Sequence, residues 1–187
     1  MKKVPEVVVL LSGGIDSTAC LDFYSELGRP LSALFVDYGQ PAAVQEIRAA
    51  RAVAEHYRVS LKCLKLKGCI PKTVGLIKGR NAFLICSALM ECPSSVSVIT
   101  IGIHKGTDYK DCSDSFLTSI QSFLEILEPP KVHLSAPFLT WSKADIYAYC
   151  LHKKVPISLT YSCERGGVEP CGHCLSCKDR EMLDACT

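Results

Sequence analysis

Short apolar runs alternate along the chain with segments in which apolar residues recur every three or four positions. The first run, Val7 to Leu11, has five consecutive apolar residues, mostly β-branched, and Gly13-Gly14 follow it. This pattern predicts a buried strand that ends at residue 11. Similar runs predict further strands over 31–36, 60–66 and 96–101. Helical spacing predicts helices over 15–27, about 44–57, 81–91, 116–127 and 143–153.

A regular alternation of strand and helix with short connections is typical of a parallel sheet that carries helices on both faces. The sequence therefore predicts an α/β fold with a doubly wound parallel sheet. The last 25 residues are rich in cysteine and glycine and lack periodicity, so we place a boundary near Tyr161. Residues 1–160 are expected to form the α/β domain, and residues 161–187 a small tail packed on it.

The composition indicates an ordinary globular protein. The chain has 187 residues, of which 48% are apolar and 21% are charged, and its net charge is +2. A net charge this close to zero does not require a nucleic-acid or membrane partner. No apolar run approaches the roughly 18 residues of a membrane-spanning helix, and none has the pattern of a signal peptide. We therefore expect a cytoplasmic protein.

The segment Ser12-Gly13-Gly14 lies where a doubly wound sheet binds ligands, at the carboxyl end of a strand. Glycines allow the backbone to turn sharply and to approach a ligand closely. Free amides at the start of the next helix, together with the hydroxyls of Ser12 and Ser17, favour an anion such as phosphate. The loop matches neither G-x-x-x-x-G-K-[ST] nor G-x-G-x-x-G. The alternative is a plain strand-to-helix turn that is capped by a serine.

Cysteine is frequent, with 12 residues, and four of them are clustered near the C-terminus. Cys163, Cys171, Cys174 and Cys177 are separated by seven, two and two residues. Four thiolates at this spacing can surround one ion, which predicts a structural zinc site. The alternatives are an iron–sulfur cluster, a site in which His173 replaces one thiolate, and a chance grouping. We expect the scattered cysteines to be reduced thiols.

The pattern S-G-G-x-D-S at residues 12–17 resembles the pyrophosphate-binding loop of the PP-loop ATP pyrophosphatases. The resemblance implies that ATP is a cofactor and that its phosphates are held by Ser12, Gly13, Gly14, Asp16 and Ser17. It also implies that Asp16 works with Mg²⁺, since this hard cation prefers carboxylate oxygen.

The tail pattern S-C…C-G-x-C-x-x-C resembles one branch of these proteins, the 7-cyano-7-deazaguanine synthase family. Further elements are similar in the same order: F-x-D-Y-G-Q at 35–40, R-N at 80–81, D-Y-K-D-C at 108–112 and W-S-K-A-D-I at 141–146. The likeness covers nearly the whole chain, from Val7 to Arg180. It implies a ligase of the queuosine pathway that adenylates 7-carboxy-7-deazaguanine and, with ammonia, yields 7-cyano-7-deazaguanine. It also implies a homodimer.

These matches imply individual site residues. Asp16, Arg80 and Lys143 are the expected catalytic residues and also contact the nucleotide. Lys143 would bind the α-phosphate, and Arg80 a phosphate or the substrate carboxylate. Lysine is disfavoured in a first helical turn, which supports a function for Lys143. Asp37 and Gln40 would bind the nucleotide or the deazapurine edge. The substrate-binding candidates are Asn81, Asp108, Tyr109 and Asp111, for which a plain loop with Asx turns is the alternative.

The sequence departs from the family pattern in three places. Pro41-Ala42 stand where the family has Arg-His, and residues 113–116 lack the arginine that is usual there. The stretch 67–78, which helps to enclose the substrate in the family, is shorter than usual. The adenylation is therefore better supported than the nitrile product.

Three other functions stay open. A related enzyme could adenylate a deazaguanine carboxylate and couple it to a bulkier amine, including one on a protein, which the shorter stretch would admit. A tRNA sulfur-transferase would need a reactive cysteine and a basic RNA-binding face, and a net charge of +2 argues against it. A zinc-ribbon interaction module would keep the fold without ATP chemistry.

Overall fold

Parallel strands form the central sheet of the molecule. The computed structural model describes residues 6–68, 77–91, 95–106, 109–127 and 132–185. Five strands lie in these ranges: β1 (Glu6–Leu10), β2 (Leu31–Asp37), β3 (Ser60–Lys65), β4 (Val96–Ile101) and β5 (His133–Ser135). Their order across the sheet is β3-β2-β1-β4-β5, and every neighbouring pair is parallel.

Helices cover both faces of this sheet. The same ranges contain α1 (Ile15–Ser25), α2 (Ala43–His56), α3 (Arg80–Glu91), α4 (Asp114–Leu127), α5 (Lys143–Lys153) and α6 (Leu175–Ala185). Residues of α1, α2 and α5 share one buried cluster with Val9, whereas residues of α3 and α4 share another with Val8 and Leu10. The predicted doubly wound α/β fold is therefore confirmed. No helix in the described ranges has both the length and the apolar composition needed to cross a bilayer.

The central strand β1 supplies both clusters because successive side chains of a strand point to opposite faces. It is paired with β2 on one side and β4 on the other. After β1 the chain first adds β2 and β3 on one side and then β4 and β5 on the other. This change of direction leaves a crevice at the carboxyl ends of β1 and β4. The loop at residues 12–17 lies at this crevice.

Gly102 allows the residues after β4 to pass directly against the start of α1. A Cβ atom at this position would lie 2.7 Å from the amide nitrogen of Ser17 and 2.9 Å from the carbonyl oxygen of Asp16. These distances exclude a side chain, so the glycine determines how closely the two segments approach at the crevice.

The buried carboxylate of Asp22 joins three helices on one face of the sheet. Asp22 lies on α1, and its two oxygens accept hydrogen bonds from the hydroxyls of Tyr57 at 2.9 Å and Tyr149 at 2.7 Å. Burial, and then these hydrogen bonds, raise the pKa of both tyrosines. The carboxylate thus fixes the end of α2 and the middle of α5 relative to α1, the helix that carries Asp16.

Two elements of the structure are not predicted by the sequence pattern. β5 has three residues, too few for an alternating pattern to be visible. α6 lies in the tail, where the sequence lacks periodicity and we predicted no helix. Cys177 is the buried residue of α6, so the helix has no apolar stripe that would reveal it. The boundary near Tyr161 stays a prediction.

Candidate active site

A cleft of about 560 Å³ opens at the carboxyl ends of the strands. Its walls include segments that follow β1, β2 and β4, the starts of α3 and α5, and part of the tail with α6. The polar residues among them that the sequence predicts are Ser12, Asp16, Ser17, Gln40, Arg80, Asn81, Tyr109 and Lys143. Residues from distant parts of the sequence therefore meet in one crevice.

The loop after β1 folds onto itself and leaves the first turn of α1 open to the cleft. The Ser12 and Ser17 hydroxyl oxygens are 3.1 Å apart, and the Ser17 hydroxyl donates to the Gly14 carbonyl at 3.0 Å. Gly14 is the N-cap of α1, and no side chain caps the helix. The alternative of a serine-capped turn is therefore wrong. An uncapped helix N-terminus at a cleft presents the donors that an anion requires.

The two glycines of this loop have different surroundings. Gly13 has a φ of +83°, and a Cβ atom there would lie 2.6 Å from the Glu46 carbonyl oxygen and 2.8 Å from the Ala50 nitrogen. At Gly14 the nearest atom to a Cβ would be the Ser12 hydroxyl oxygen, at 3.5 Å. Gly14 lines the cleft, whereas Gly13 packs the loop against α2.

This difference separates two alanine variants. Gly13→Ala is expected to lower the free energy of unfolding by about 2–4 kcal/mol, because it combines a left-handed φ with a backbone clash. Gly14→Ala is expected to change it by less than about 1 kcal/mol, since its extended backbone suits alanine, but to weaken ATP binding. Urea unfolding and binding of a fluorescent ATP analogue would measure both effects. Equal losses of stability would contradict the assignment.

An ion pair between Asp16 and Lys143 lies beside the loop. The Lys143 Nζ is 2.6 Å from one carboxylate oxygen of Asp16 and 2.5 Å from the other. The Nε2 atom of His104 is 3.8 Å from the same carboxylate. Lys143 is the first residue of α5, which begins with the predicted capping box formed by Ser142 and Asp145. The cap therefore places Lys143 close to the start of α1. The positive ends of the α1 and α5 dipoles lie here, and both favour an anion between them.

Other predicted residues contact one another at the edge of the cleft. Asn81 is 2% exposed, and its side-chain amide donates to the Asp111 carbonyl at 3.0 Å. The Asp111 carboxylate accepts the Asn81 backbone N–H at 3.3 Å, so it lies at the start of α3 and outside the cleft lining. The Arg80 Nε donates to the Asn81 side chain at 3.3 Å. Asp108 lies outside the described residues.

The segment after β2 turns back on itself. The Asp37 carboxylate accepts the Gly39 N–H at 3.0 Å and lies 3.5 Å from the Lys65 Nζ. It is not part of the cleft lining. Gln40 is part of it, but its amide is used inside the protein: Oε1 accepts the Tyr38 N–H at 2.9 Å, and Nε2 donates to Glu46 at 2.8 Å. Sequence reasoning placed both residues on the ligand, and that role stays a prediction.

Glu46 is a cleft residue that the sequence analysis missed. It lies on α2 and lines the cleft. The signal was present in the sequence, because residues 46, 49, 50 and 53 share one helix face, and Ala49, Ala50 and Val53 are buried. A carboxylate on the buried face of a helix is costly and therefore worth singling out. Asp179 and Arg180 also line the cleft and were missed with α6.

Replacing Glu46 with glutamine is expected to raise the midpoint of thermal unfolding near neutral pH. Burial raises the pKa of Glu46 above its ordinary value of 4.5, so the fold is penalised for carrying the charge. Below pH 4.5 both folded and unfolded states are protonated, and the two proteins should unfold alike. The wild type should lose relative stability as the pH rises to the folded pKa, beyond which the difference stays constant. Thermal scans from about pH 4 to 8 would test this, and a pH-independent difference would contradict it.

The four predicted cysteines of the tail come together. Their sulfur atoms all lie within 4.8 Å of one another, and those of Cys171 and Cys177 are 4.0 Å apart. Sulfurs at about 2.3 Å around a tetrahedral zinc would be about 3.8 Å apart, so the arrangement fits this metal. Although burial opposes ionisation, the amide hydrogen bonds of Cys171 and Arg165 lower the pKa of Cys163 to about 6, whereas burial raises the pKa of Cys177 to about 12. Ionised thiolates are the form that binds metal.

The tail is built directly against the loop after β1. The Tyr161 N–H donates to the Gly13 carbonyl at 2.9 Å, and the Tyr161 hydroxyl donates to the Gly167 carbonyl at 2.7 Å. Gly166 has a φ of +74°, and a Cβ atom there would lie 2.1 Å from the Pro41 carbonyl oxygen. The tail therefore packs against the turn where this chain has Pro41-Ala42 in place of Arg-His.

Comparison with known proteins gives a consistent result along the chain. The family model described as "Queuosine biosynthesis protein QueC" matches residues 6–70 and 67–183. The 7-cyano-7-deazaguanine synthase of Aquifex aeolicus (strain VF5) is 31% identical over 211 residues, which cover 97% of each chain. The 7-cyano-7-deazaguanine synthase 2 of Desulfitobacterium hafniense (strain Y51) is 32% identical over 95% of this chain and 86% of its own.

Solved structures resemble this chain in fold. A predicted subunit of a tRNA methyltransferase from Methanocaldococcus jannaschii has a TM-score of 0.57 and 16% identity, covering 80% of this chain and 76% of its own. NMN synthetase from Francisella tularensis has a TM-score of 0.51 and 15% identity, covering 98% and 78%. At this identity the likeness concerns the fold alone.

Proposed function

The chain belongs to the family of queuosine biosynthesis proteins QueC, and from this premise we propose that it is an ATP-dependent ligase. Its substrates are 7-carboxy-7-deazaguanine and ammonia, and its product is 7-cyano-7-deazaguanine. The observation that carries this proposal is the uncapped start of α1 beside the Asp16–Lys143 pair, in a cleft at the carboxyl end of β1.

A carboxylate reacts with ammonia only after activation. Its oxygen attacks the α-phosphorus of ATP, pyrophosphate leaves, and ammonia then displaces AMP from the acyl adenylate to give an amide. A second activation, on the amide oxygen, allows elimination of AMP to give the nitrile. Negative charge develops on phosphate oxygens in both activations, so amide donors and cations provide most of the catalysis.

The residues of the cleft match these needs. The amides of the first turn of α1, with the hydroxyls of Ser12 and Ser17, bind the phosphates. When the nucleotide binds, the ammonium group of Lys143 leaves Asp16 and pairs with the α-phosphate. Arg80 offers a planar fork that suits either a phosphate or the substrate carboxylate.

Two metal ions complete the proposal. Mg²⁺ neutralises phosphate charge when bound, and Asp16 would hold it together with phosphate oxygens, because its carboxylate is a hard donor at the cleft. Zn²⁺ would be held by Cys163, Cys171, Cys174 and Cys177. Four protein ligands leave no open position, so this metal stabilises the tail and takes no part in the chemistry.

Incubation with ATP, Mg²⁺, ammonia and 7-carboxy-7-deazaguanine tests the proposal. Mass analysis should show the nitrile, together with AMP and pyrophosphate. Ser12→Ala should lower pyrophosphate exchange, because it removes a hydroxyl from the loop. Pyrophosphate exchange at the wild-type rate in this variant would show that the loop does not bind the nucleotide.

A second candidate function differs in the amine that reacts with the acyl adenylate. The family model matches in two parts that meet within 67–70, which is where the sequence is shorter than the family pattern. A shorter enclosure would admit a bulkier amine than ammonia, including one on a protein. An amide adduct of increased mass, with no free nitrile, would favour this candidate. A homodimer and a cytoplasmic location stay predictions, the first of which sedimentation velocity would test.

A further inference from the structure

Glu46 and Gln40 form a fixed polar pair on the cleft wall, and the mechanism above gives them no task. One Glu46 oxygen, Oε2, accepts the Gln40 Nε2 at 2.8 Å. Gln40 is itself fixed, because its Oε1 accepts the Tyr38 N–H at 2.9 Å and its Nε2 also donates to the Val36 carbonyl at 3.2 Å. The end of β2 thus sets the orientation of a carboxylate on α2.

The second oxygen of Glu46 is available to a ligand. Within the part of the chain that the structure describes, no protein group donates a hydrogen bond to Oε1, and Arg80 favours the charged form of the carboxyl. Two other carboxylates of the cleft are engaged. Asp16 holds Lys143, and Glu164 accepts the Ser176 hydroxyl at 2.8 Å. Glu46 is partly buried, and a partly desolvated carboxylate with a free oxygen is costly to maintain, which points to a ligand that compensates for the lost solvation.

The chemistry of a carboxylate selects the ligand. An ionised carboxylate only accepts hydrogen bonds. A guanine-type base presents two neighbouring donors, the N1–H and the 2-amino group, whereas the edge of adenine places its amino group beside an acceptor nitrogen. We propose that Glu46 is a specificity-determining residue that accepts the donor edge of the deazaguanine substrate, and that Gln40 is the positioning residue that orients it. This inference rests on the proposed function.

The test compares Glu46→Gln with Glu55→Gln, which changes an exposed glutamate on the same helix and outside the cleft lining. Glu46→Gln keeps the shape but places an amide donor against the base, so KM for the base should rise about 10- to 100-fold, as for loss of a paired polar contact. KM for ATP should stay within about twofold. Glu55→Gln should leave both values within about twofold. Gln40→Ala should raise KM for the base in the same direction, with no further rise when combined with Glu46→Gln.

A substrate analogue that lacks the 2-amino group makes the test specific. The analogue should bind the wild type more weakly than the substrate does, and the two should bind Glu46→Gln alike. A rise in KM for ATP alone would overturn the inference and assign Glu46 to the nucleotide, and a discrimination that persists in Glu46→Gln would also overturn it. If the wild type shows no turnover, the proposed function fails. Calorimetric binding of the base and the analogue to both proteins still decides the role of Glu46.

Discussion

Replacement of Lys143 by methionine is expected to lower kcat/KM in the adenylation assay by about 10²- to 10³-fold, the usual loss when one preorganised charge is removed from a transition state. The ammonium group lies within 2.6 Å of both Asp16 oxygens, next to the uncapped start of α1. In the proposed function this ammonium group binds the α-phosphate, where negative charge develops in the transition state. The fold should persist, because a lysine in a first helical turn is opposed by the helix dipole.

Lys153→Met is the matched control for this variant. Lys153 lies on the same helix, in its last turn, and pairs with Glu26 at 2.9 Å. Like Lys143, it forms an ion pair with a carboxylate of the α1 region. It lies at the surface and away from the cleft, where ion pairs contribute little to stability. Pyrophosphate exchange by Lys153→Met should stay within about twofold of the wild type. Similar losses in both variants would show that Lys143 acts through stability alone.

Much of this site follows from local patterns in the sequence. Ser142 and Asp145 predict a helix start, and the structure contains the complete capping box that places Lys143. The apolar run before Gly13 predicts a buried strand, and the ligand site of a doubly wound sheet follows from its topology. These features depend on neighbours in the sequence, which is why the sequence reveals them.

The missed features depend on contacts between distant segments. The role of Gly13 is set by the backbone of α2, which no pattern at 12–17 specifies. Cys177 is the buried residue of α6, so hydrophobic periodicity does not predict this helix. Asp111, which is predicted to bind the substrate, accepts the Asn81 N–H at the start of α3, a contact that no local pattern specifies. The helix face that carries Glu46 could be recognised in the sequence, but its hydrogen bond to Gln40, which follows β2, could not.

Removal of the proposed zinc is expected to affect the structure of the tail most of all. Cys174 directly precedes α6 and Cys177 is its buried residue, so the zinc proposed above would hold the start of the helix, while Leu183 packs against the core of the α/β domain. Structural zinc contributes on the order of 10 kcal/mol in small domains. Chelation, or Cys174→Ser, should therefore abolish the protection of the α6 amides from hydrogen exchange, while the amides of β1 stay protected by the sheet.

The same change should weaken nucleotide binding without any contact between metal and nucleotide. The tail joins the loop after β1 through the hydrogen bond from Tyr161 to Gly13, and residues of α6 form part of the cleft wall. Unfolding of the tail would release the loop after β1 and remove the α6 part of the cleft wall. The free-energy cost of ordering these segments would then be met on ATP binding, so the affinity for ATP should fall by about tenfold or more. Hydrogen exchange, metal content per chain and binding of a fluorescent ATP analogue measure the three effects. Cys63→Ser, which changes an exposed cysteine of β3, is the control and should retain the metal, the protection of α6 and the affinity for ATP. A metal-free protein whose α6 amides are still protected would show that the tail folds by itself.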